Sequence, residues 1–201
     1  DGETLALVSD AGMPTISDPG YKLVAACINE GIAVSCIPGA SAVTTALALS
    51  GLPTDRFFFQ GFLPNKKPKR RRVLSALAAI PGSLVVMESA KRLATMLADA
   101  HQCLGIRDAA VTRELTKRFE EVRRGSLDEL ATHYAEAGPP KGEVTVVIGP
   151  PDSATLEIDP AALDEMLLDM LANASVRDAA NAIAAETGLA RRTVYQRALE
   201  L

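Results

Sequence analysis

Residues 4–53 read TLALVSDAGMPTISDPGYKLVAACINEGIAVSCIPGASAVTTALALSGLP. The run at 4–9, TLALVS, is short and apolar and ends on Asp10 and Gly12, as a buried strand does. YKLVAACINE at 21–30 carries apolar residues at helical spacing and stops at Gly31. IAVSCI at 32–37 is β-rich and stops at Pro38 and Gly39, and SAVTTALALS at 41–50 is an alanine-rich helix closed by Gly51 and Pro53. Strand, helix, strand, helix with short Gly/Pro connections predicts a parallel α/β sheet.

The theme repeats downstream. Strands are expected at 56–61, 83–87, 108–113, 119–124 and 143–148, and helices at 69–79, 90–104 and 126–137. Ser126 and Glu129 stand at the two positions of a capping box. The fold class expected is α/β, with two α/β domains at 1–53 and 54–150, a cleft between them, and a helical tail at 151–201. PPDSATLEIDP at 150–160 reads as a linker, and an acidic helix is expected at 161–172. Ser175 can cap a following helix, Gly188 turns the chain, and a last helix is expected at 191–201. Ala184, Gly188 and Val194 have the spacing of a helix-turn-helix.

Composition narrows the class. The 201 residues are 48% apolar and 23% charged, so a core is expected and wholesale disorder is not. Cys27, Cys36 and Cys103 form no CxxC pair, and two histidines give no zinc-like spacing. They are expected to be buried thiols in a reducing compartment. No apolar run reaches the ~20 residues of a membrane span, and no signal peptide is seen. A cytoplasmic protein is expected. The chain opens on Asp1, a turn running straight into an apolar run, and so reads as a domain whose front is missing.

Charge is distributed unevenly. The net charge is −4, yet Lys66, Lys67, Lys69, Arg70, Arg71 and Arg72 put six cations into seven positions. A solvated helix start would account for them, but cations there oppose the helix dipole and so call for a partner. Polyanions are that kind of partner, because neutralising phosphates releases counterions.

Ligand chemistry is expected at strand ends. SDAGMPTISDPG at 9–20 holds Asp10, Asp18, two glycines and two prolines, which let backbone approach a ligand closely. A tight turn with capping aspartates is the plainer reading. IPGASA at 37–42 opens a helix whose free N–H groups can hold a carboxylate or carbonyl oxygen, though it lacks the spacing of a dinucleotide loop or a P-loop. Glu88, Arg113, Glu114 and Lys117 follow strands that end at a common edge, where structural ion pairs are equally expected. His101 and His133 fall in helices and form no Ser/His/Asp arrangement.

Five stretches then carry a resemblance: SDAGMPTISDPG, IPGASAVTTALALSGLPTDRFFFQGFLPNKKPKRRR, ES at 88–89, RELTK at 113–117 and KGEVTVVI at 141–148. In this order they are similar to the tetrapyrrole-methylase superfamily, and within it to the branch that acts on ribosomal RNA. Porphyrinoid-modifying members carry a GDP-type sequence where this chain has SDAGMP. The resemblance implies a homodimer with S-adenosylmethionine in the cleft, no metal, and methylation of a cytidine ribose 2′-OH in the decoding region of 16S rRNA within the small ribosomal subunit. It implies cofactor contacts from Ser9, Asp10, Ala11, Gly12 and Ile16, from Ser41 and Ala42, and from Glu88, Leu115 and Thr145. It implies RNA contacts from the six cations at 66–72. Glu88, Glu114 and Lys117 are the catalytic candidates, as a carboxylate or neutral-lysine base or as orienting groups. The family's glycine-rich first loop precedes these motifs, and its absence would impair cofactor binding.

Two other readings compete. A tetrapyrrole C-methyltransferase would not need six clustered cations. A DNA-binding regulator would use Arg191, Arg192 and Arg197 of the last helix, against the acidic balance of that tail.

Overall fold

The computed structural model describes residues 2–10, 12–151, 160–172, 174–187, 189 and 191–201. The chain divides into two compact units, Asp1–Pro151 and Asp152–Leu201.

The first unit is built on a five-stranded sheet. Its strands are β1 (Phe57–Phe62), β2 (Ser83–Ser89), β3 (Asp108–Arg113), β4 (Glu121–Ser126) and β5 (Glu143–Ile148), in the order β1-β2-β5-β3-β4. β1 and β2 run parallel, whereas β2–β5, β5–β3 and β3–β4 are antiparallel. The sheet is therefore mixed, and the parallel pattern expected from the first fifty residues is not what forms.

Those residues supply helices only. α1 (Tyr21–Asn29) and α2 (Ala42–Ser50) form as expected, but no strand forms at 4–9 or 32–37. A strand exists by its ladder, and neither run enters one among the described residues. Leu5 and Val8 are accordingly 88% and 81% exposed. Cys36, in the second run, is exposed, and Cys27 and Cys103 are half-buried, so the expectation of three buried thiols fails with the strand that would have buried one of them.

Strand alternation sorts the sheet's two faces. Leu84, Val86, Ala109, Val111, Val144, Val146 and Ile148 face α3 (Lys67–Leu77), α4 (Leu93–Leu104) and α5 (Leu127–Ala137), and form the main core with Leu74, Met96, Leu97 and Leu130. On the opposite face Val85 and Val147 meet α2. Its Val43, Ala46, Leu47 and Ser50, at i, i+3, i+4 and i+7, form the buried stripe. α2 thus belongs to the sheet of the second block. Gly51 ends α2 in the left-handed region, at φ 77°. Arg124 of β4 donates to the Ser50 carbonyl at 3.0 Å and to that of Leu49, two of the acceptors a helix end leaves unpaired.

Two polar devices close the helical layer. Ser126 and Glu129 make the expected capping box on α5. Arg107 is buried and donates to the Leu104, Gly149 and Ala78 carbonyls, joining the ends of α4, β5 and α3.

The second unit has three helices among its described residues: α6 (Pro160–Leu171), α7 (Val176–Thr187) and α8 (Arg191–Glu200). Leu163, Leu167, Ala180, Ile183, Val194 and Ala198 make its core, with Ala184 packed against it. Ser175 caps α7 by accepting the Asp178 N–H at 3.2 Å, as expected. Arg197 forks onto Asp164, at 2.7 and 2.6 Å. Gly188, the expected turn residue, lies outside the described residues.

Candidate functional site

The two loops singled out in the sequence meet. A side chain on Gly12, whose φ is +73°, would stand 3.5 Å from the Ala40 carbonyl oxygen, and one on Gly39 would stand 3.4 Å from the Met13 sulfur. SDAGMP and IPGASA therefore lie in van der Waals reach of each other, and Gly12 takes the left-handed backbone that its turn requires. A third glycine, Gly61 at the bulge of β1, approaches Ser17 to within 3.2 Å of where its Cβ would lie. Thr15 and Ser17 sit at positive φ, 72° and 58°, so the first loop is tightly wound without glycine at those turns. A cavity of about 330 Å³ opens along Leu7–Asp10 and Asp18–Gly20.

The expected cofactor residues distribute as follows. Ser9 and Asp10 line this cavity. Ala11 lies outside the described residues, and Ile16 is about half exposed. Ser41 is the N-cap of α2 in extended conformation and makes no side-chain cap, while Ala42 is the first helical residue. The opening N–H groups of α2 thus have no intrahelical acceptor and receive none from Ser41. Thr145 points to the α2 side of the sheet, in register with Met87 on one neighbour and Thr112 on the other. Leu115 packs against the α2 cluster with Leu52, Phe59 and Met87. Sequence reading missed these last three, although strand alternation from Val85 already places Met87 on that face.

Glu88 lies on the other face. It alternates with Val86 and Leu84 and is 2% exposed. Its Oε1 accepts the Ser89 N–H and the Arg92 Nε–H, each at 2.7 Å. Arg92, four residues on, was not singled out. Glu88 shares a row of the sheet with Val144 and Arg113, both strand partners being in register. The expected convergence of strand ends is therefore present, but the Glu88 carboxylate does not share the face of Met87 and Thr145.

Glu114 and Lys117 form an exposed network at the same edge. Glu114, at φ 48°, accepts the Glu143 N–H at 3.0 Å and the Lys117 ammonium at 3.1 Å, and Lys117 reaches the Glu143 carboxylate at 3.0 Å. The Glu143 N–H and the Lys117 ammonium hold the Glu114 carboxyl below the usual value. The Glu143 and Glu114 carboxylates hold Lys117 above its usual value. Both carboxylates thus favour the charged form of Lys117.

The basic run also divides. Lys66, Lys67, Lys69 and Arg72 are exposed at the start of α3. Arg70 is instead buried, donating from Nε and Nη2 to Asp99 at 2.9 and 2.6 Å, and Arg71 donates to the other Asp99 oxygen at 2.7 Å. Arg70 therefore faces a carboxylate inside the unit, where the sequence expectation had put an RNA phosphate.

A polar two-loop assembly beside an α/β sheet, with a cationic helix on the same unit, is thus the candidate site of this chain. The family described as Tetrapyrrole (Corrin/Porphyrin) Methylases matches residues 1–131, and the RsmI C-terminal HTH domain matches residues 157–201. The chain is 48% identical over 201 residues to the ribosomal RNA small subunit methyltransferase I of Mesorhizobium japonicum, covering all of this chain and 68% of that protein. It is 49% identical over 203 residues to the protein of that name from Mycobacterium tuberculosis, covering 70% of it. Among solved structures, a conserved hypothetical protein of Aeropyrum pernix superposes with a TM-score of 0.54 at 19% identity, over 94% of this chain and 67% of that one. Diphthine synthase gives 0.51 at 19% identity, over 69% and 57%. At such identity these structures establish the fold alone. The chain belongs to the tetrapyrrole methylases and, within them, to the ribosomal RNA small subunit methyltransferase I family.

Proposed function

We propose that the protein transfers a methyl group from S-adenosylmethionine to the ribose 2′-OH of a cytidine in the decoding region of 16S rRNA, acting on the small ribosomal subunit as a homodimer. The observation that carries this reading is that the two-loop assembly and a helix with four exposed cations belong to one unit, in a chain aligned end to end with ribosomal RNA methyltransferases.

The residues present fit the cofactor. The α2 start offers N–H groups suited to a carboxylate. Asp10 can accept from hydroxyl or ammonium groups, and Met87 and Leu115 give an apolar wall. When bound, S-adenosylmethionine supplies an electrophilic sulfonium methyl. The protein's share is to hold the ribose oxygen in line with it, a proximity effect of about 7–11 kcal/mol at its upper range. The exposed cations at 66–72 grip the RNA backbone. Glu114 and Lys117, both charged at neutral pH, orient groups at the strand edge and do not exchange protons there.

Labelled methyl from S-adenosylmethionine is expected in RNA when the purified protein is given small ribosomal subunits, and not in naked DNA or a porphyrinoid. Label in the porphyrinoid alone would overturn the reading in favour of carbon methylation. The charge states carry their own test. Between neutral pH and the ordinary lysine range, the rate should show no step that Lys117→Arg removes. Such a step would restore Lys117 as the base.

A further inference from the structure

We propose that Arg92 is a positioning residue for the RNA-gripping helix, bridging the buried Glu88 carboxylate to the loop at 63–66 from which that helix starts. This rests on the reading of the exposed cations as the RNA grip.

α3 begins under unfavourable conditions. Its N-cap is Lys66, which makes no side-chain cap, and its first turn carries no acid, while Lys67, Lys69 and Arg70 lie within it. Each cation opposes the partial positive charge of the helix start. The first turn must therefore be held by contacts from elsewhere, and two guanidiniums supply them. Arg70 donates to the Asn65 carbonyl at 3.1 Å while its other nitrogens hold Asp99. Arg92 donates to the Leu63 carbonyl at 3.3 Å while its Nε holds Glu88 at 2.7 Å. The loop's carbonyls at 63 and 65 are thus each gripped by an arginine anchored on a buried carboxylate.

The Glu88 anchor is one-sided. Among the described residues, all its donors converge on Oε1, and Oε2 is buried without a hydrogen-bond partner. The Glu88 carboxylate is therefore held by Arg92, whose planar fork reaches both the carboxylate and the carbonyl. Glu88 directly follows Met87, which packs in the α2 cluster on the opposite face. Arg92 consequently links the strand that walls the proposed cofactor site to the loop that aims the cations. Its loss should misplace the RNA and leave cofactor binding intact.

Arg92→Ala would strand a buried carboxylate and could unfold the unit, so two gentler variants make the test. Arg92→Lys keeps a cation beside Glu88 but lacks the fork that also reaches Leu63. Arg92→Gln keeps an amide donor for Glu88 but has no second arm for the Leu63 carbonyl. Each should raise KM for small ribosomal subunits about tenfold, the worth of one charge-assisted hydrogen bond, with kcat, cofactor affinity by calorimetry and melting temperature near wild type. Amide hydrogen exchange at Leu63, Asn65, Lys66 and Lys67 should quicken in both. Unchanged exchange at those four amides overturns the proposal, whatever the activity. So does a KM rise matched by loss of cofactor affinity and melting temperature, which marks an ordinary structural pair. If the wild-type protein puts no methyl into RNA, the RNA reading fails by itself, and the exchange rates still decide whether Arg92 holds the loop.

Discussion

Asp99→Ala lowers the stability of the Asp1–Pro151 unit by about 3–5 kcal/mol, the usual cost of removing one member of a buried ion pair. Against a typical domain stability of about 5–15 kcal/mol, that removes from about a fifth of it to all of it. The size follows from what stays behind. Arg70 is 5% exposed, and Asp99 is its carboxylate partner. Without it a guanidinium remains in the core with the Asn65 carbonyl as its remaining acceptor. Arg71→Lys should cost far less, since its side chain is 37% exposed and water can replace the partner. The pH dependence has a definite sign. Burial pushes the Asp99 carboxyl up, but hydrogen bonds from Arg71 and Arg70, with their charges, outweigh burial and hold it below the ordinary value. The folded value lies below the unfolded one, so this contribution is complete above the ordinary aspartate range and is lost as pH falls through the folded value. Urea unfolding at neutral pH should separate wild type from Asp99→Asn widely, and the gap should shrink on acidification through that range. A gap that persists below it would mean that the charge is not what stabilises.

How much of this was legible beforehand depends on the range of the cause. The α5 cap was legible because Ser126 and Glu129 satisfy each other three residues apart. The stripe of α2 and the strands at 83–87, 108–113 and 143–148 were legible because their periodicity is local. The mixed sheet was not, because β5 sits between β2 and β3 through ladders that join residues 31 to 64 positions apart. TLALVS and IAVSCI show the reverse error: strand-like composition predicts a strand, yet pairing decides whether it forms. At the candidate site the glycines and prolines announced both loops, and the structure brings them together. For Glu88, alternation in SLVVMES already gave the face it shares with Leu84 and Val86. For Arg70 there was no local signal. A charge run cannot reveal that a carboxylate 29 positions later takes one member inward.

That division of the basic run sets the second large effect. Reversing Lys66, Lys67, Lys69 and Arg72 to glutamate should weaken RNA binding about a thousandfold at moderate salt, because each phosphate contact contributes through the counterions it releases. Arg70 is left in place, since a glutamate beside Asp99 would set two buried like charges together and unfold the unit. Neutral substitution of the same four positions gives the cleaner slope: the logarithm of affinity against the logarithm of salt should flatten by about 3 if each cation meets one phosphate of single-stranded RNA. Cofactor affinity should stay unchanged, because none of these side chains lines the cavity at Leu7–Asp10 and Asp18–Gly20. Melting temperature should hold or rise in the reversed variant, since acids at a helix start favour the dipole that the cations oppose. A more stable protein that has lost RNA but kept cofactor would separate binding from folding. An unchanged salt slope would remove the cations at 66–72 from the RNA interface altogether.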